Sequence, residues 1–305
     1  METTAYDFLW RYDFEDLRRR IYAQTAEDVE RALAQPYRTT EDFIALVSPA
    51  AVPYLEVMAR EAHRLTIERY GKTLQLYLPL YLSNICSNSC VYCGFSKENK
   101  IHRRQLTLSE IDREVEAIKR LGFRHLLLVS GEDLRSSSWK YYLEVVKHLR
   151  PHFAQLSLEV QPLSTEQYHA LGSAGISYVC VYQETYHEAR YPLYHLAGKK
   201  ADYRYRLETP DRIAQAGIEK IGLGALLGLE EWRTDSTFTA LHLSYLKRKY
   251  RQTRYSISLP RLRPAVGAYE PSCPIDDLGL VQLILAFRLL DPHVEISLST
   301  RESET

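Results

Sequence analysis

Residues Leu82 to Phe95 read Leu-Ser-Asn-Ile-Cys-Ser-Asn-Ser-Cys-Val-Tyr-Cys-Gly-Phe, which sets Cys86, Cys90 and Cys93 in a C-x3-C-x2-C pattern directly after an apolar, strand-like stretch. Three thiolates on one short loop can take three corners of a four-iron, four-sulfur cluster and leave the fourth iron without a protein ligand. Such an iron can bind a substrate, here S-adenosylmethionine, and open radical chemistry. The competing reading is zinc, which in structural sites is closed by four ligands. No fourth ligand stands at a matching spacing: His102 follows a charged stretch, Cys180 falls within a strand pattern and Cys273 on a distant loop. The iron–sulfur reading is preferred, with Cys180 read as a small buried hydrophobe and Cys273 as a loop thiol.

Outward from this loop, strand and helix patterns alternate. The strands expected are Leu76–Leu82, His125–Val129, Leu156–Val160, Ile176–Val181, Lys220–Leu223, Tyr255–Leu259 and Val294–Leu298. A helix is expected from Thr107, with Glu110 three residues on as a capping box, Ile111, Val115 and Ile118 on one face and Gly122 at its close. Another is expected with Thr209 as N-cap, Pro210 at its first position and Gly217 at its end. A third runs from about Asp276 to Leu290. Strands joined by helices imply a parallel sheet with right-handed crossovers. Seven of them suit a (β/α) barrel, although the last strand is followed by only a few residues and no eighth is expected. Before residue 74 the pattern is helical, with Phe14, Leu17, Ile21 and Tyr22, then Val29 and Leu33, then Leu55, Met58, Ala62 and Leu65 at helical spacing. Thr40 and Asp42 offer a helix start. The division expected is a helical region over 1–73 and an incomplete barrel over 74–305.

Composition narrows the function. The 305 residues carry 39 basic and 39 acidic side chains, and the pI is about 7.1. This argues against a bulk electrostatic binder of nucleic acid or membrane. No apolar run reaches the roughly 20 residues of a spanning helix, and the first residues lack the features of a secretory signal. Five cysteines, three of them clustered, fit a metal site in a reducing compartment better than a disulfide framework. A cytoplasmic location is expected.

In barrels of this kind, function sits on the loops after the C-terminal strand ends. The polar residues there are Asn84 and the cysteines, Ser130-Gly131-Glu132, Glu159 with Gln161, the run Gln183 to His187, Gly222 with Gly224, Arg261 with Arg263, and Ser299 to Glu302. Glycine at 131 would allow close backbone approach, and Glu132 could accept bonds from an ammonium group. Glu159 and Gln161 are expected to face one side, and a charge inside a barrel needs a partner. Arg301 directly follows the last strand, and a fork-shaped donor there suits an amino-acid carboxylate. His187 and His195 read as structural. The pair Gly222 and Gly224 either admits an adenine edge or relieves packing.

Several stretches together resemble the 2-iminoacetate synthases, the radical tyrosine lyases of thiamine thiazole biosynthesis. They are the cysteine motif ending Tyr-Cys-Gly-Phe-Ser, His-Leu-Leu-Leu-Val-Ser-Gly-Glu, Glu-Val-Gln-Pro-Leu, Val-Tyr-Gln-Glu-Thr-Tyr-His-Glu, Arg-Leu-Glu-Thr-Pro-Asp-Arg, Pro-Arg-Leu-Arg-Pro and Leu-Ser-Thr-Arg-Glu. The resemblance runs from about Tyr12 to Glu302. It implies a radical S-adenosylmethionine type of (β/α) barrel. It also implies a reaction in which reductive cleavage of S-adenosylmethionine leads to hydrogen abstraction from L-tyrosine, and the Cα–Cβ bond breaks to 2-iminoacetate and p-cresol. Carried over by motif, Cys86, Cys90 and Cys93 hold the cluster. Gly131 and Glu132 meet the methionine amino group, Tyr92, Glu159 and Arg206 serve the cofactor, and Arg301 holds the tyrosine carboxylate. Thiazole synthase and a reduced flavodoxin or ferredoxin-type donor are the implied partners. Family members continue past Ser-Thr-Arg-Glu through an eighth strand, so the resemblance implies a barrel with strand eight missing from this sequence. The alternatives are a related aromatic amino-acid lyase such as the tyrosine lyase of hydrogenase maturation, a truncated inactive chain that only binds a partner, and a zinc-stabilised binding domain.

Overall fold

The computed structural model describes residues 4–267, 269–298 and 302. Seven parallel strands form one curled sheet in chain order: β1 (Leu78–Ser83), β2 (His125–Ser130), β3 (Gln155–Glu159), β4 (Ile176–Cys180), β5 (Lys220–Gly224), β6 (Arg254–Ser258) and β7 (Glu295–Ser297). Strand order equals sequence order because each crossover carries the chain to the next position along the sheet. Among the described residues β1 and β7 are the outer strands.

Alternation along the strands explains the curl. Leu80 and Leu82, Leu126 and Leu128, Leu156 and Leu158, Val179, Ile221 and Leu223, and Tyr255 and Ile257 join one hydrophobic core with the helices. Each such side chain contributes about 1.5–3 kcal/mol by leaving water. From β3 onward the intervening residues are mostly polar or small: Ser157 and Glu159, Tyr178 and Cys180, Lys220, Gly222 and Gly224, Ser256 and Ser258, Glu295 and Ser297, whereas β2 has Leu127 and Val129 there. Cys180, Gly222, Ser256 and Glu295 stand side by side in register. The concave face is thus largely polar from β3 to β7, and the convex face is the core against the helices.

The seven expected strands are all present, with ends shifted by one or two residues. The helix Leu108–Arg120 has the expected capping box, Thr107 bonding the Glu110 N–H and Glu110 bonding Thr107 in return, with Ile111, Val115 and Ile118 buried beneath it. Gly122 ends it at φ 81°, a conformation that glycine adopts without strain. Two caps differ from expectation. Thr39, not Thr40, caps Thr40–Val47, in a box with Asp42. Thr209 is the first residue of Thr209–Gln215 and not its cap; its hydroxyl instead bonds the Tyr205 carbonyl at 3.0 Å.

Helices between Ala5 and Tyr70 precede β1 and pack into the same core, with Phe43 against Phe287 of the helix Asp277–Leu290 at 4.7 Å between ring centroids. The depression lined by Thr73 to Leu76 and Leu121 to His125 lies at the N-terminal strand ends, away from the cysteine loop. Among the described residues no single helix is long and apolar enough to cross a membrane.

Candidate active site

The cysteine loop is held from below and from the side. Gly131 donates to the Ser83 carbonyl at 2.8 Å, which brings the β2 end under the loop. A Cβ at position 131 would lie 2.4 Å from the Ile85 carbonyl oxygen and 3.2 Å from the Cys86 Cβ, so only glycine permits this approach. Ser87 binds the Glu132 carbonyl through its N–H at 3.0 Å and its hydroxyl at 2.9 Å. Arg103 knits the loop together by donating to the carbonyls of Asn84, Phe95, Ser96 and Asn99 at 2.6–3.1 Å.

A second loop, after β4, closes over the first. Ser89–Cys90 pairs antiparallel with His195–Ala197, and the Val91 N–H bonds the Tyr194 carbonyl at 3.1 Å. Tyr92 Oη lies 2.8 Å from His195 Nε2, while His195 Nδ1 lies 3.0 Å from the Tyr191 carbonyl. That carbonyl can only accept, so Nδ1 carries the proton and Tyr92 donates to Nε2. Burial, then the charges of Lys200 and Arg206, push the imidazole down to about 2, so it stays neutral. His195 is structural, as expected. The Tyr92 hydroxyl is committed to it.

Four charged side chains meet beside the cysteines. Arg206 donates to Glu132 Oε1 at 2.8 Å, to the Tyr182 carbonyl at 2.6 Å and to Glu184 Oε1 at 3.5 Å. Lys200 Nζ reaches the same Glu184 oxygen at 2.6 Å. Asn88 completes the ring, donating to Glu132 Oε2 at 2.8 Å and accepting from the Lys200 N–H at 3.0 Å. Burial pushes the Glu132 carboxyl up, but Arg206 and Lys200 outweigh it and hold the group below its ordinary value. Glu184 has φ 72°, the one non-glycine residue with positive φ among those described. Such a conformation costs on the order of 1–3 kcal/mol and tends to mark functional sites.

Glu159 enters this mouth differently. Its carboxylate makes no hydrogen bond among the described residues. Burial first, and the Glu184 charge second, push it up to about 7. Gln161 does not share its surroundings: it lies beyond β3, accepts from the Tyr142 hydroxyl at 2.6 Å and donates to the Ser137 carbonyl at 2.7 Å, both buried. The strand ends at Glu159, so alternation no longer applies there.

Other expected mouth residues are held by partners of their own. Thr185 and the Tyr186 N–H bond Asp235, and His187 stacks on Phe14 at 4.3 Å. Gly222 and Gly224 relieve packing: a Cβ at 222 would meet Tyr178 Oη at 2.7 Å and Cys180 Sγ at 2.8 Å, and one at 224 the Ser258 carbonyl oxygen at 2.5 Å. Arg261 and Arg263 both grip the Glu302 carboxylate. Ser299, Thr300 and Arg301 lie outside the described residues. Lys200, Asn88 and Arg103 were not anticipated; they stand in polar runs with no spacing signal.

Three thiolates on one loop are soft donors of the kind an iron–sulfur cluster takes. All five cysteines are free. Cys93 feels the charges of both Cys86 and Lys200, and its sulfur accepts the Phe95 N–H at 3.4 Å. Yet among the described residues no three His, Cys, Asp or Glu groups converge as one metal ion would require.

A parallel half-barrel with this loop after its first strand defines a radical S-adenosylmethionine protein, and residues 80–240 match the family model of the Radical SAM superfamily. The 2-iminoacetate synthases of Salmonella typhimurium and Escherichia coli are each 53% identical over 296 residues, covering 96% of this chain and 78% of theirs. Among solved structures, HydG, a maturase of the FeFe-hydrogenase, superposes with a TM-score of 0.89 at 30% identity, over 96% of this chain and 68% of that one. The chain belongs to the 2-iminoacetate synthase family.

Proposed function

We propose that this chain cleaves the Cα–Cβ bond of L-tyrosine to 2-iminoacetate and p-cresol, for thiazole formation in thiamine biosynthesis. The observation that carries this is the docking of the cysteine loop onto Gly131 and Glu132 beside buried Arg206, in a chain 53% identical to 2-iminoacetate synthases. Cys86, Cys90 and Cys93 would hold the 4Fe-4S cluster, which with S-adenosylmethionine supplies one-electron and radical chemistry when bound. Gly131 keeps the backbone low enough for a cofactor to sit on the loop. Glu132 and Glu184 are the carboxylates toward which an amino group is drawn, and Arg206 fixes both. Glu159, without a hydrogen-bond partner among the described residues, is the acceptor left for a hydroxyl or ammonium of a bound molecule. Tyr92 walls the cofactor side with its ring. Arg301 would hold the tyrosine carboxylate.

A one-electron donor of the flavodoxin or ferredoxin type and the thiazole synthase are the partners this reaction needs, in a cytoplasm that keeps the cysteines reduced. HydG is a second reference point in structure, but the identity to it is lower, 30% against 53%, so the thiamine reading is favoured.

The test is anaerobic reconstitution with iron and sulfide, followed by assay with S-adenosylmethionine, a reductant and tyrosine. Matching yields of p-cresol and 5′-deoxyadenosine are expected. Cofactor cleavage with tyrosine left intact would overturn the lyase reading, and an Arg301→Ala variant with unchanged KM for tyrosine would remove Arg301 from it.

A further inference from the structure

The loop after β4 delivers a charge to the cysteines, and that charge is not explained by folding alone. Lys200 follows the short strand His195–Ala197 that pairs with Ser89–Cys90. Its N–H is fixed by Asn88, inside the cysteine motif, and its carbonyl by the Tyr191 hydroxyl at 2.8 Å. Gly198 makes this approach feasible, since a Cβ there would lie 2.1 Å from Asn88 Oδ1. The Lys200 ammonium is 88% buried by side chain (12% exposed) and stands 5.6 Å from the centre of the Tyr92 ring, the residue between Cys90 and Cys93.

We propose that Lys200 is a positioning residue that sets the reduction potential of the cluster held by Cys86, Cys90 and Cys93, making the cluster easier to reduce. This rests on the cluster reading above. A reduced cluster carries one more negative charge than an oxidised one. A fixed cation in a low-dielectric surround stabilises the reduced form and raises the potential. The place of Lys200 is fixed by geometry: the strand before it pairs with Ser89–Cys90, its N–H bonds Asn88 at 3.0 Å, and its ammonium lies 5.6 Å from the Tyr92 ring centre. The groups facing Lys200 are Glu184, Glu132, Arg206 and the cysteines. Burial and Arg206 work against its charge, and Glu184, Cys90 and Glu132 more than offset them, so the ammonium stays protonated. Glu184 retains Arg206 at 3.5 Å if Lys200 is removed, and Arg206 keeps Glu132 at 2.8 Å, so two of the three ion pairs of the mouth remain.

The experiment is a redox titration of the reconstituted chain followed by electron paramagnetic resonance, without S-adenosylmethionine, for wild type, Lys200→Met, Lys200→Arg and Lys199→Met. Lys199 is exposed and serves as the surface-charge control. Lys200→Met is expected to make cluster reduction about tenfold less favourable, a fall of about 59 mV for a one-electron couple. Lys200→Arg should stay near wild type, and Lys199→Met should barely move. A Lys200→Met midpoint no lower than that of Lys199→Met overturns the proposal. So does a Lys200→Met chain that loads no cluster while Lys200→Arg loads normally, because Lys200 would then serve assembly. A wild-type chain without a 4Fe-4S signal would instead overturn the cluster reading.

Discussion

Carboxylates meet cationic side chains in two regions of this molecule with different consequences. On the helix Leu55–Tyr70, Arg64 bonds Glu61 at 2.8 Å and Glu68 at 2.6 Å, all within one or two turns and open to water. At the mouth, Arg206 and Lys200 join Glu132 and Glu184 at 2.6–3.5 Å, nearly out of water. Exposed pairs are screened and contribute little. Buried pairs take charges out of solvent at a cost that their attraction often only balances, but removing one partner strands the other. The helix could lose its pairs and remain a helix. The mouth cannot lose Arg206 without leaving the buried Glu132 carboxylate short of its ion-pair partner and Glu184 with Lys200 alone, so the same chemistry decorates one region and fixes geometry in the other.

The largest effect should come from the loop that the buried charges surround. Cys90→Ala removes a thiolate for which no spare stands nearby, and should abolish both cluster absorbance and S-adenosylmethionine cleavage. Full 5′-deoxyadenosine formation in that variant would show that Cys90 is not a ligand.

Next is the charge ring itself. Arg206→Met should destabilise the cluster-free chain by roughly 3–5 kcal/mol, read from urea unfolding, because Glu132 and Glu184 lose their shared partner. A loss no larger than a surface substitution causes would erase the contrast between the two regions.

Glu159 gives a smaller effect with a definite sign. Its native carboxyl, raised to about 7 by burial and then by Glu184, holds a proton more tightly than the unfolded chain does. Stability is therefore present below the unfolded value near 4.5 and falls as pH rises toward 7 and beyond. Glu159→Gln should flatten that fall, leaving the variant on the order of 2 kcal/mol better off at pH 8 than at pH 4 relative to wild type. Parallel stability curves for the two proteins would contradict it. At the small end, Arg64→Ala should move the thermal midpoint by no more than ~1 °C; a shift matching that of Arg206→Met would mean the exposed network matters more than its solvation implies.

The two regions also differ in how much the amino-acid order reveals. Helix starts are local: Thr107 and Glu110 lie three residues apart and bond each other, so the pattern carries the contact. Thr39 and Thr40 both can cap, and the one-residue error there reflects that ambiguity. Strands were legible because apolar residues at every second position mark the face that meets the helices. The mouth is assembled across the chain. Arg206 bonds Glu132 74 residues away, Tyr92 meets His195 103 residues away, and Lys200 meets Asn88 112 residues away. The cysteines, Gly131, Glu132, Glu159 and Arg206 stood out through spacing or family motif. Lys200 and Asn88 did not, since a lysine in Gly-Lys-Lys-Ala and an asparagine between serines look like solvated loop. Nor does anything in Gln-Glu-Thr-Tyr require the left-handed backbone at Glu184, which is imposed by partners on both sides. Gln161 was misplaced because alternation was carried two residues past the strand end.

The most direct test of the account is the electron paramagnetic resonance spectrum of the anaerobically reconstituted, reduced chain before and after adding S-adenosylmethionine. Three cysteine ligands leave one iron free for the cofactor. A 4Fe-4S signal that changes on addition of S-adenosylmethionine, and is absent in Cys90→Ala, is the result expected. A signal indifferent to the cofactor, or a colourless chain holding one zinc, would contradict it.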